Sequence, residues 1–267
     1  MSQLQSAAGS AVAEVVSERI STLAEGPVWC EREERIYWVD ILSGRLHMHC
    51  TADGREKSLE MGEHLGAVAL RERGGLVLAL KSGFAFYNLA EQQITAISDP
   101  ESELHGNRFN DGKCDPSGRF WAGTMSYELE QGAGSLYCLD TNLKTRKLLG
   151  GLTISNGMAW SSDRTEYYFI DSPTGCVYQF DYEDGSATLS NQRTHRQFTQ
   201  DEGGPDGMTI DEEGALWVAL YGGSRVVRLD PDTGETLFNV QVPAPHVTSC
   251  TFGGPSLDEL YITTARE

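Results

Sequence analysis

The sequence predicts an all-β protein and, within that class, a six-bladed β-propeller that forms one domain over residues 12–267. Three observations support this prediction. A glycine followed by a short apolar stretch recurs along the chain, several short strand-like segments follow each recurrence, and no long segment has the 3.6-residue apolar period of a helix. A chain of 267 residues is compatible with one all-β domain. Residues 1–11 precede the first repeat and are expected to be disordered.

The repeat is most visible at its glycines. Neighbouring repeats lie between 40 and 50 residues apart, counted from Gly26 to Gly66 and from Gly157 to Gly207, and this is the usual length of a propeller blade. The repeats begin with Gly26-Pro27-Val28-Trp29, Gly66-Ala67-Val68-Ala69, Gly112-Lys113-Cys114, Gly157-Met158-Ala159-Trp160 and Gly207-Met208-Thr209-Ile210, and residues Thr248 to Thr264 begin a sixth unit.

Each unit continues with a turn and further strands. Turns such as Asp115-Pro116-Ser117-Gly118 and Asp211-Glu212-Glu213-Gly214 follow the glycine segments. Strands rich in aromatic and β-branched residues come next, at Ile36–Val39, Leu76–Leu78, Phe120–Ala122, Tyr167–Ile170 and Leu216–Val218, and a third, alternating strand follows at Gly134–Leu139 and Arg225–Leu229. A β-sandwich remains the alternative, because both architectures use glycine in tight hairpins.

The composition narrows the class of partner. The net charge is −18, which argues against a nucleic acid or an anionic membrane as partner, because phosphate binding needs clustered lysine and arginine. No apolar run approaches the roughly 20 residues of a membrane span, and residues 1–17 lack the pattern of a secretory signal. The six scattered cysteines contain no C-x-x-C pair, so we expect reduced thiols and a cytoplasmic protein.

The residue before each repeat glycine indicates a possible binding site. These residues are Glu25, Leu65, Asp111, Asn156 and Asp206. Equivalent positions of successive blades surround the central axis of a propeller, so four of them would form a ring of oxygen acceptors that repel one another unless a cation neutralises them. Oxygen ligands without cysteine or histidine favour a hard cation. The alternative is that Asx before glycine is ordinary turn chemistry, but it explains neither Glu25 nor the regular recurrence.

Motifs of other hydrolases and of nucleotide-binding proteins are absent. The sequence has no G-x-S-x-G, no H-E-x-x-H and no Walker loop.

The chain resembles the SMP-30/gluconolactonase/LRE family of regucalcin-like sugar lactonases over nearly all of residues 24–266. The motifs that carry the resemblance are Ala24–Trp29, Arg108–Lys113, Asp115–Arg119, Ala122–Met125, Ile154–Met158, Pro205–Met208, Leu216–Ala219, Thr248–Gly254 and Tyr261–Arg266. The family's fold is a six-bladed propeller. The resemblance implies that Glu25, Asn156 and Asp206 hold a metal, that Asp206 is also the catalytic general base, and that Arg108, Asn110 and Glu128 bind substrate. The repeat alone would have selected Asp111 in place of Asn110.

The resemblance also implies an activity. The expected reaction is metal-dependent hydrolysis of a small-molecule sugar lactone such as gluconolactone to the aldonic acid, with one divalent cation, Ca²⁺ before Zn²⁺, Mg²⁺ or Mn²⁺. Two alternatives are a phosphotriesterase-like esterase on the same metal and a non-catalytic calcium-binding propeller. Arg108 and Asn110 favour the lactonase, because a calcium holder needs no substrate clamp. We expect a monomer or a weak homo-oligomer.

One departure from the family concerns the last blade. Relatives continue past the Ala265-Arg266 motif with another strand, whereas the sequence ends at Glu267. We therefore expect the sixth blade to be incomplete at the C-terminus, with residues 12–16 supplying its outer strand and a gap between that strand and Leu260–Thr264. An unpaired strand edge invites association or instability.

Overall fold

Short strands joined by tight turns make up the protein. The structure, a computed structural model, describes residues 9–266, and in that part of the chain it has 23 strands and three single-turn 3₁₀ helices but no α-helix. Residues 1–8, on which most of the predicted disordered segment falls, lie outside the described residues. The 3₁₀ helices are Glu31–Glu33, Ser172–Thr174 and Gln200–Glu202.

The strands follow one another in groups of four. The first strand, β1 (Gly9–Val12), stands apart. The groups that follow are β2 (Ala24–Cys30), β3 (Arg35–Asp40), β4 (Arg45–Cys50) and β5 (Glu56–Glu60); β6 (Leu65–Leu70), β7 (Leu76–Leu80), β8 (Gly83–Asn88) and β9 (Gln93–Ser98); β10 (Asn107–Cys114), β11 (Phe120–Ser126), β12 (Gly134–Leu139) and β13 (Thr145–Leu152); β14 (Ser155–Trp160), β15 (Glu166–Asp171), β16 (Cys176–Glu183) and β17 (Thr188–Gln197); and β18 (Gly204–Ile210), β19 (Leu216–Tyr221), β20 (Arg225–Leu229) and β21 (Thr236–Gln241). The last two strands are β22 (His246–Gly253) and β23 (Glu259–Ala265).

Each of the first four groups is a four-stranded antiparallel sheet in chain order. The strands β18 to β21 form a similar meander, and β22 and β23 form a hairpin. These two units belong to one seven-stranded sheet with β1, because a single residue pair, Tyr221 with His246, joins β19 to β22. The predicted all-β class is confirmed.

The first strands of successive units lie side by side. β2 lies next to β6, β6 next to β10, β10 next to β14, β14 next to β18 and β18 next to β22, and β22 lies next to β2. The first strands therefore form a closed ring, and the sheets are arranged around it as in a propeller.

The repeat glycines permit this close approach. A Cβ atom on Gly66 would lie 2.6 Å from the carbonyl carbon of Phe109, and one on Gly157 would lie 2.6 Å from the carbonyl oxygen of Asp206. Neither distance is sterically allowed, so glycine is required where neighbouring first strands meet. Gly26 has a different role, because its φ of +49° lies in the left-handed region that favours glycine.

Aromatic side chains fill the spaces between sheets. The rings of Trp121 and Trp160 meet edge to face with centroids 5.1 Å apart, and Tyr167 lies 5.0 Å from each of them. Such pairs contribute about 0.5–1.5 kcal/mol beyond the area that they bury. The six cysteines are free thiols, as the sequence predicts.

The predicted turns carry buried carboxylates that hold the second strand of the unit. The Oδ2 atom of Asp115 accepts hydrogen bonds from Arg119 Nε at 2.5 Å, Trp121 Nε1 at 3.0 Å and Tyr182 OH at 3.0 Å. The Asp115 side chain is fully buried. Asp211 repeats the arrangement with Trp217 Nε1 and Arg228 Nε, at 2.9 Å and 2.7 Å, in a more exposed position.

The N-terminal strand differs from the prediction in position and in partner. It begins at Gly9, so residues 9–11 are ordered and the predicted boundary at residue 12 is too late. Its partner is β21, in parallel, with Gly9 opposite Phe238 and Val12 opposite Gln241. The prediction that residues 12–16 form the outer strand of the sixth unit is therefore wrong. The physical reason is that the outer edge of β21 offers unpaired backbone groups close to the N-terminal segment, and β1 satisfies them.

The sixth unit has two strands, where the other five have at least four. Among residues 9–266, β23 forms a ladder only with β22. Its other edge has one bridge, between Ala265 and Leu23, followed by a backbone hydrogen bond from Arg266 N to Thr22 O at 3.2 Å. A groove of about 720 Å³ runs beside this edge and is lined by Leu260, Ile262 and the N-terminal segment. The sixth unit is therefore incomplete at Leu260–Thr264, as expected, but it lacks two of the four strands where only one was expected to be missing.

Candidate active site

A β-bulge interrupts the first strand of every unit at the predicted motif. The register shifts between Glu25 and Val28 in β2, between Ser155 and Met158 in β14, and between Pro205 and Met208 in β18. A bulge leaves residues outside the regular ladder and re-aims their side chains. Glu25, Asn156 and Asp206 lie at these bulges, and all three are buried. The bulges explain how strands that belong to different sheets can direct polar side chains into the ring.

Hydrogen bonds connect the neighbouring polar side chains. Asn110 Nδ2 donates to Asn156 Oδ1 at 2.8 Å and to the carbonyl oxygen of Ser155 at 2.9 Å. Asn156 Nδ2 donates to Ser172 Oγ at 2.7 Å, and Ser172 Oγ donates to the carbonyl oxygen of Pro205 at 2.7 Å. The orientation of Asn156 is therefore fixed on both sides, and its amide is tied to the residue that precedes Asp206.

Three buried carboxylates share this region. Burial raises the pKa of Glu25 well above its usual value, and the charges of Asp206 and Asp111 raise it further. Burial and the charge of Asp111 likewise raise the pKa of Asp206 well above its usual value. The backbone amide of Gly26 opposes the shift at Glu25, and a side-chain hydrogen bond with Glu25, followed by the backbone amide of Gly207, opposes the shift at Asp206. These contacts do not offset the shifts. Buried carboxylates whose charges raise the pKa values of their neighbours favour the binding of protons or of a cation.

The donor set fits a hard divalent cation. Asp206 Oδ1 is buried and has no hydrogen-bond partner among residues 9–266, and an unsatisfied buried oxygen of this kind is costly unless a ligand uses it. Glu25 and Asp206 offer carboxylate oxygens, and Asn156 Oδ1 keeps a second lone pair. Within the part of the chain that the structure describes, no three Asp, Glu, His or Cys side chains converge on one point, so the two carboxylates would need the Asn156 amide to complete a site.

Arg108 lies beside this set. It is 7% exposed, and its Nη1 donates to Asn110 Oδ1 at 2.7 Å and to the carbonyl oxygen of Phe109 at 3.0 Å. No ion pair joins it to a carboxylate within residues 9–266, although its charge lowers the pKa of Glu25. The structure thus places Arg108, Asn110 and Asn156 in contact through Asn110, and their roles in binding substrate and metal stay predictions.

Glu128 lies elsewhere. It is exposed in the segment after β11, where its backbone amide donates to Ser126 Oγ at 3.1 Å. Within the described chain, the Glu128 carboxylate makes no hydrogen bond to the buried site residues Glu25, Arg108, Asn110, Asn156 and Asp206. The assignment of Glu128 as a substrate ligand stays a prediction.

Two residues of the site had no role in the sequence analysis. Ser172, in the 3₁₀ helix after β15, holds Asn156, and no motif marks it because serine before proline is common in turns. Lys113, on β10, donates from Nζ to the carbonyl oxygen of Met208 at 2.6 Å. Its position directly after a repeat glycine, where the other units have apolar residues, was the available signal.

The fold and the site define a class: a propeller-like β protein with an oxygen-rich, acidic centre and a buried arginine beside it. Residues 23–266 match the family described as the SMP-30/Gluconolactonase/LRE-like region. The chain therefore belongs to the SMP-30/gluconolactonase/LRE family, and the resemblance found in the sequence is confirmed.

Individual relatives are similar over most of their length. The chain is 42% identical over 247 residues to YvrE of Bacillus subtilis (strain 168), which is named as a candidate sugar lactone lactonase, and the match covers 92% of this chain and 85% of that protein. It is 42% identical over 256 residues to regucalcin of Xenopus laevis, covering 94% and 85%. The solved structure of a calcium-binding protein, regucalcin from Agrobacterium tumefaciens, is 31% identical and superposes with a TM-score of 0.93, covering 97% of this chain and 88% of that one.

In the described chain, no helix is both long enough and apolar enough to span a membrane.

Proposed function

We propose that this protein is a divalent-metal-dependent lactonase that opens a sugar lactone, an aldonolactone such as gluconolactone, to the aldonic acid on a six-bladed β-propeller. The observation that carries the proposal is the buried, unsatisfied Oδ1 atom of Asp206 beside Glu25, whose carboxyl also feels the charge of Arg108. Membership of a family with a relative named for sugar lactone hydrolysis supports the reaction type.

Glu25, Asn156 and Asp206 would hold the cation. Their donors are oxygens alone, which favours Ca²⁺ over softer metals, and a relative named as a calcium-binding regucalcin agrees with this choice. When bound, a divalent cation supplies Lewis acidity toward the lactone carbonyl and lowers the pKa of water.

The residues of the chain supply the remaining chemistry. The Asp206 carboxylate accepts a proton from the attacking water, because it has an oxygen that no protein group uses. The water oxygen bonds to the lactone carbonyl carbon, the bond from that carbon to the ring oxygen breaks, and the ring oxygen takes up a proton. The product is the open hydroxy acid, with no other leaving group.

Arg108 and Asn110 would orient the sugar. Asn110 uses both ends of its amide within the protein, toward Arg108 and toward Asn156. Arg108 has donors that no carboxylate pairs, so its guanidinium is the group free to bind sugar hydroxyls or the developing negative charge. Glu128 would contribute from the exposed segment after β11.

A substrate panel tests the proposal. Purified protein is assayed with gluconolactone and with a paraoxon-type ester, each with Ca²⁺ and after chelation, and the carboxylate-to-amide variant Glu72→Gln serves as an exposed control. We expect lactone hydrolysis that depends on the metal and is unchanged in the control variant. Faster cleavage of the phosphotriester would favour the esterase, and calcium binding without hydrolysis of either compound would favour a non-catalytic protein.

A further inference from the structure

His64 contacts Tyr127 across two units of the molecule. His64 directly precedes β6, and Tyr127 directly follows β11. The His64 Nδ1 atom lies 2.6 Å from the Tyr127 hydroxyl oxygen, a hydrogen-bond distance, and the two ring centroids are 5.5 Å apart. Whichever of the two atoms donates, the phenolic group keeps a second hydrogen-bonding capacity, because it is both a donor and an acceptor. The Tyr127 hydroxyl is therefore fixed in place and can still bind a further group.

The topology places this contact at the mouth where the proposed metal ligands lie. Glu25, Asn156 and Asp206 are close to the starts of their first strands. Because each of these units is an antiparallel meander, the second strand runs back toward that mouth, and the segment between the second and third strands lies there too. Tyr127 belongs to such a segment, between β11 and β12, and His64 precedes a first strand.

The strand register places Tyr127 on the face of the sheet that carries Arg108. Arg108 lies opposite Met125 in the ladder of β10 and β11, and opposite residues of an antiparallel pair share a face. Tyr127 follows Met125 by two residues and is the next position on that face. Its backbone amide donates to the carbonyl oxygen of Gly106 at 2.9 Å, which continues the ladder by one step. Tyr127 is 36% exposed, so the side chain is accessible at the mouth.

His64 lies on the other side of Arg108. β6, which follows His64, packs so closely on β10 that a Cβ atom on Gly66 would lie 2.6 Å from the β10 backbone. The charges agree with this geometry. Burial lowers the pKa of His64 and the charge of Arg108 lowers it further, against a hydrogen bond with the Leu42 backbone, and burial raises the pKa of Tyr127, whereas the charge of Arg108 lowers it. His64 and Tyr127 therefore flank the guanidinium that we assign to substrate binding.

We infer that the Tyr127 hydroxyl, held in place by His64, hydrogen-bonds a hydroxyl group of the lactone and makes the site select hydroxylated lactones. Tyr127 is then a specificity-determining residue, and His64 is its positioning residue. The inference rests on the proposed function. A site built to hydrogen-bond a substrate hydroxyl discriminates against an analogue that lacks it, because the protein group is then left without its partner.

The test compares gluconolactone with δ-valerolactone, which has the same six-membered ring without the hydroxyl groups, at saturating Ca²⁺. Each variant is compared with wild type on each substrate, so that the different intrinsic reactivities cancel. Tyr127→Phe keeps the ring and removes the hydroxyl. We expect its kcat/KM for gluconolactone to fall about tenfold, mainly through KM, which is the scale of one lost hydrogen bond. Its kcat/KM for δ-valerolactone should stay within about twofold of wild type.

Three further variants separate positioning from a general defect. His64→Leu should show the same selective loss, and combining it with Tyr127→Phe should add nothing, because both remove one interaction. His64→Asn keeps a hydrogen-bonding group near the place of Nδ1 and should stay within about twofold of wild type. Tyr261→Phe, the matched control, removes a hydroxyl from β23 that bonds Glu259 and should change neither substrate.

Several results would overturn the inference. Unchanged gluconolactone kinetics in Tyr127→Phe would remove Tyr127 from substrate binding, and equal losses on both lactones would mean that the pair supports the scaffold and not specificity. Additive losses in the double variant would mean that His64 does not act through Tyr127. Wild-type protein that opens neither lactone would overturn the proposed function and the inference with it, which is a distinguishable failure.

Discussion

Replacement of Asp206 by asparagine should affect stability and catalysis in opposite directions. The substitution preserves the size of the side chain and one oxygen donor, but it removes a negative charge from a buried position. The charge of Asp206 raises the pKa of Glu25 and the charge of Asp111 raises the pKa of both carboxyls, whereas a side-chain hydrogen bond with Glu25 lowers the pKa of Asp206. In the metal-free protein the variant should therefore be more stable than wild type, because fewer like charges are buried together.

The magnitude follows from Coulomb's law for a pair of neighbouring charges. Two unit charges 4 Å apart repel by about 4 kcal/mol at an effective dielectric constant of 20, and partial protonation of the raised-pKa carboxylates reduces this value. We expect the free energy of unfolding of the metal-free variant to exceed that of metal-free wild type by about 1–3 kcal/mol. Each kcal/mol should raise Tm by about 2–4 °C for a chain of this size. Ca²⁺ at a concentration 100-fold above Kd should raise the free energy of unfolding of wild type by about 2.7 kcal/mol. The same concentration should raise the free energy of unfolding of the variant by less. Its lactonase kcat should fall by about 100-fold or more, the usual scale for loss of a general base.

Thermal melts with and without Ca²⁺ and steady-state kinetics provide the assay, with Glu72→Gln as the exposed control. A metal-free variant that melts below wild type would mean that Asp206 is not repelled by its neighbours. A variant that hydrolyses gluconolactone at nearly the wild-type rate would refute the role of Asp206 as general base, although not the fold.

Three further predictions concern other parts of the molecule. Asp115→Ala should destabilise the protein by about 3–5 kcal/mol, because it removes one of the two carboxylates that pair with the buried Arg119 guanidinium and leaves Trp121 Nε1 without its acceptor, while Asp184 still pairs with Arg119. The equivalent change at the more exposed Asp211 should cost less. Urea unfolding compares the two variants, and equal losses would contradict the burial argument. Leu260–Thr264 should exchange amide hydrogens faster than Leu216–Ala219, because β23 has one open edge, and equal protection by mass spectrometry would count against this. Arg108→Met should raise KM for the lactone at least about tenfold while Ca²⁺ binding persists, and an unchanged KM would remove Arg108 from substrate binding.

The sequence was sufficient to predict the all-β class and the unit boundaries. The glycines at 26, 66, 112, 157 and 207 mark the first strand of each unit, and two of them are required by the steric contact between neighbouring strands. The oxygen-bearing residues before four of these glycines fall in the ring because each strand carries a bulge at that position. Period and turn chemistry are local properties, and local properties can be read from one sequence.

Contacts between distant segments could not be predicted in this way. The N-terminal strand pairs with β21 and not with the sixth unit, because the choice between two strand edges depends on their relative position in space. Ser172 and Lys113 act through partners 16 and 95 residues away in the chain, and their residue types carry no motif. The repeat alone also could not separate Asn110 from Asp111, since both lie at the bulge of β10.

Glu25, Asn156 and Asp206 are proposed to hold a divalent cation on which lactone hydrolysis depends. The most direct measurement is the rate of gluconolactone opening, followed by pH-stat and corrected for spontaneous hydrolysis, in protein stripped of metal and then titrated with Ca²⁺. We predict a loss of at least about 100-fold on stripping and full recovery at one equivalent of Ca²⁺ per chain. Full activity in protein that elemental analysis shows to be free of metal would contradict the claim.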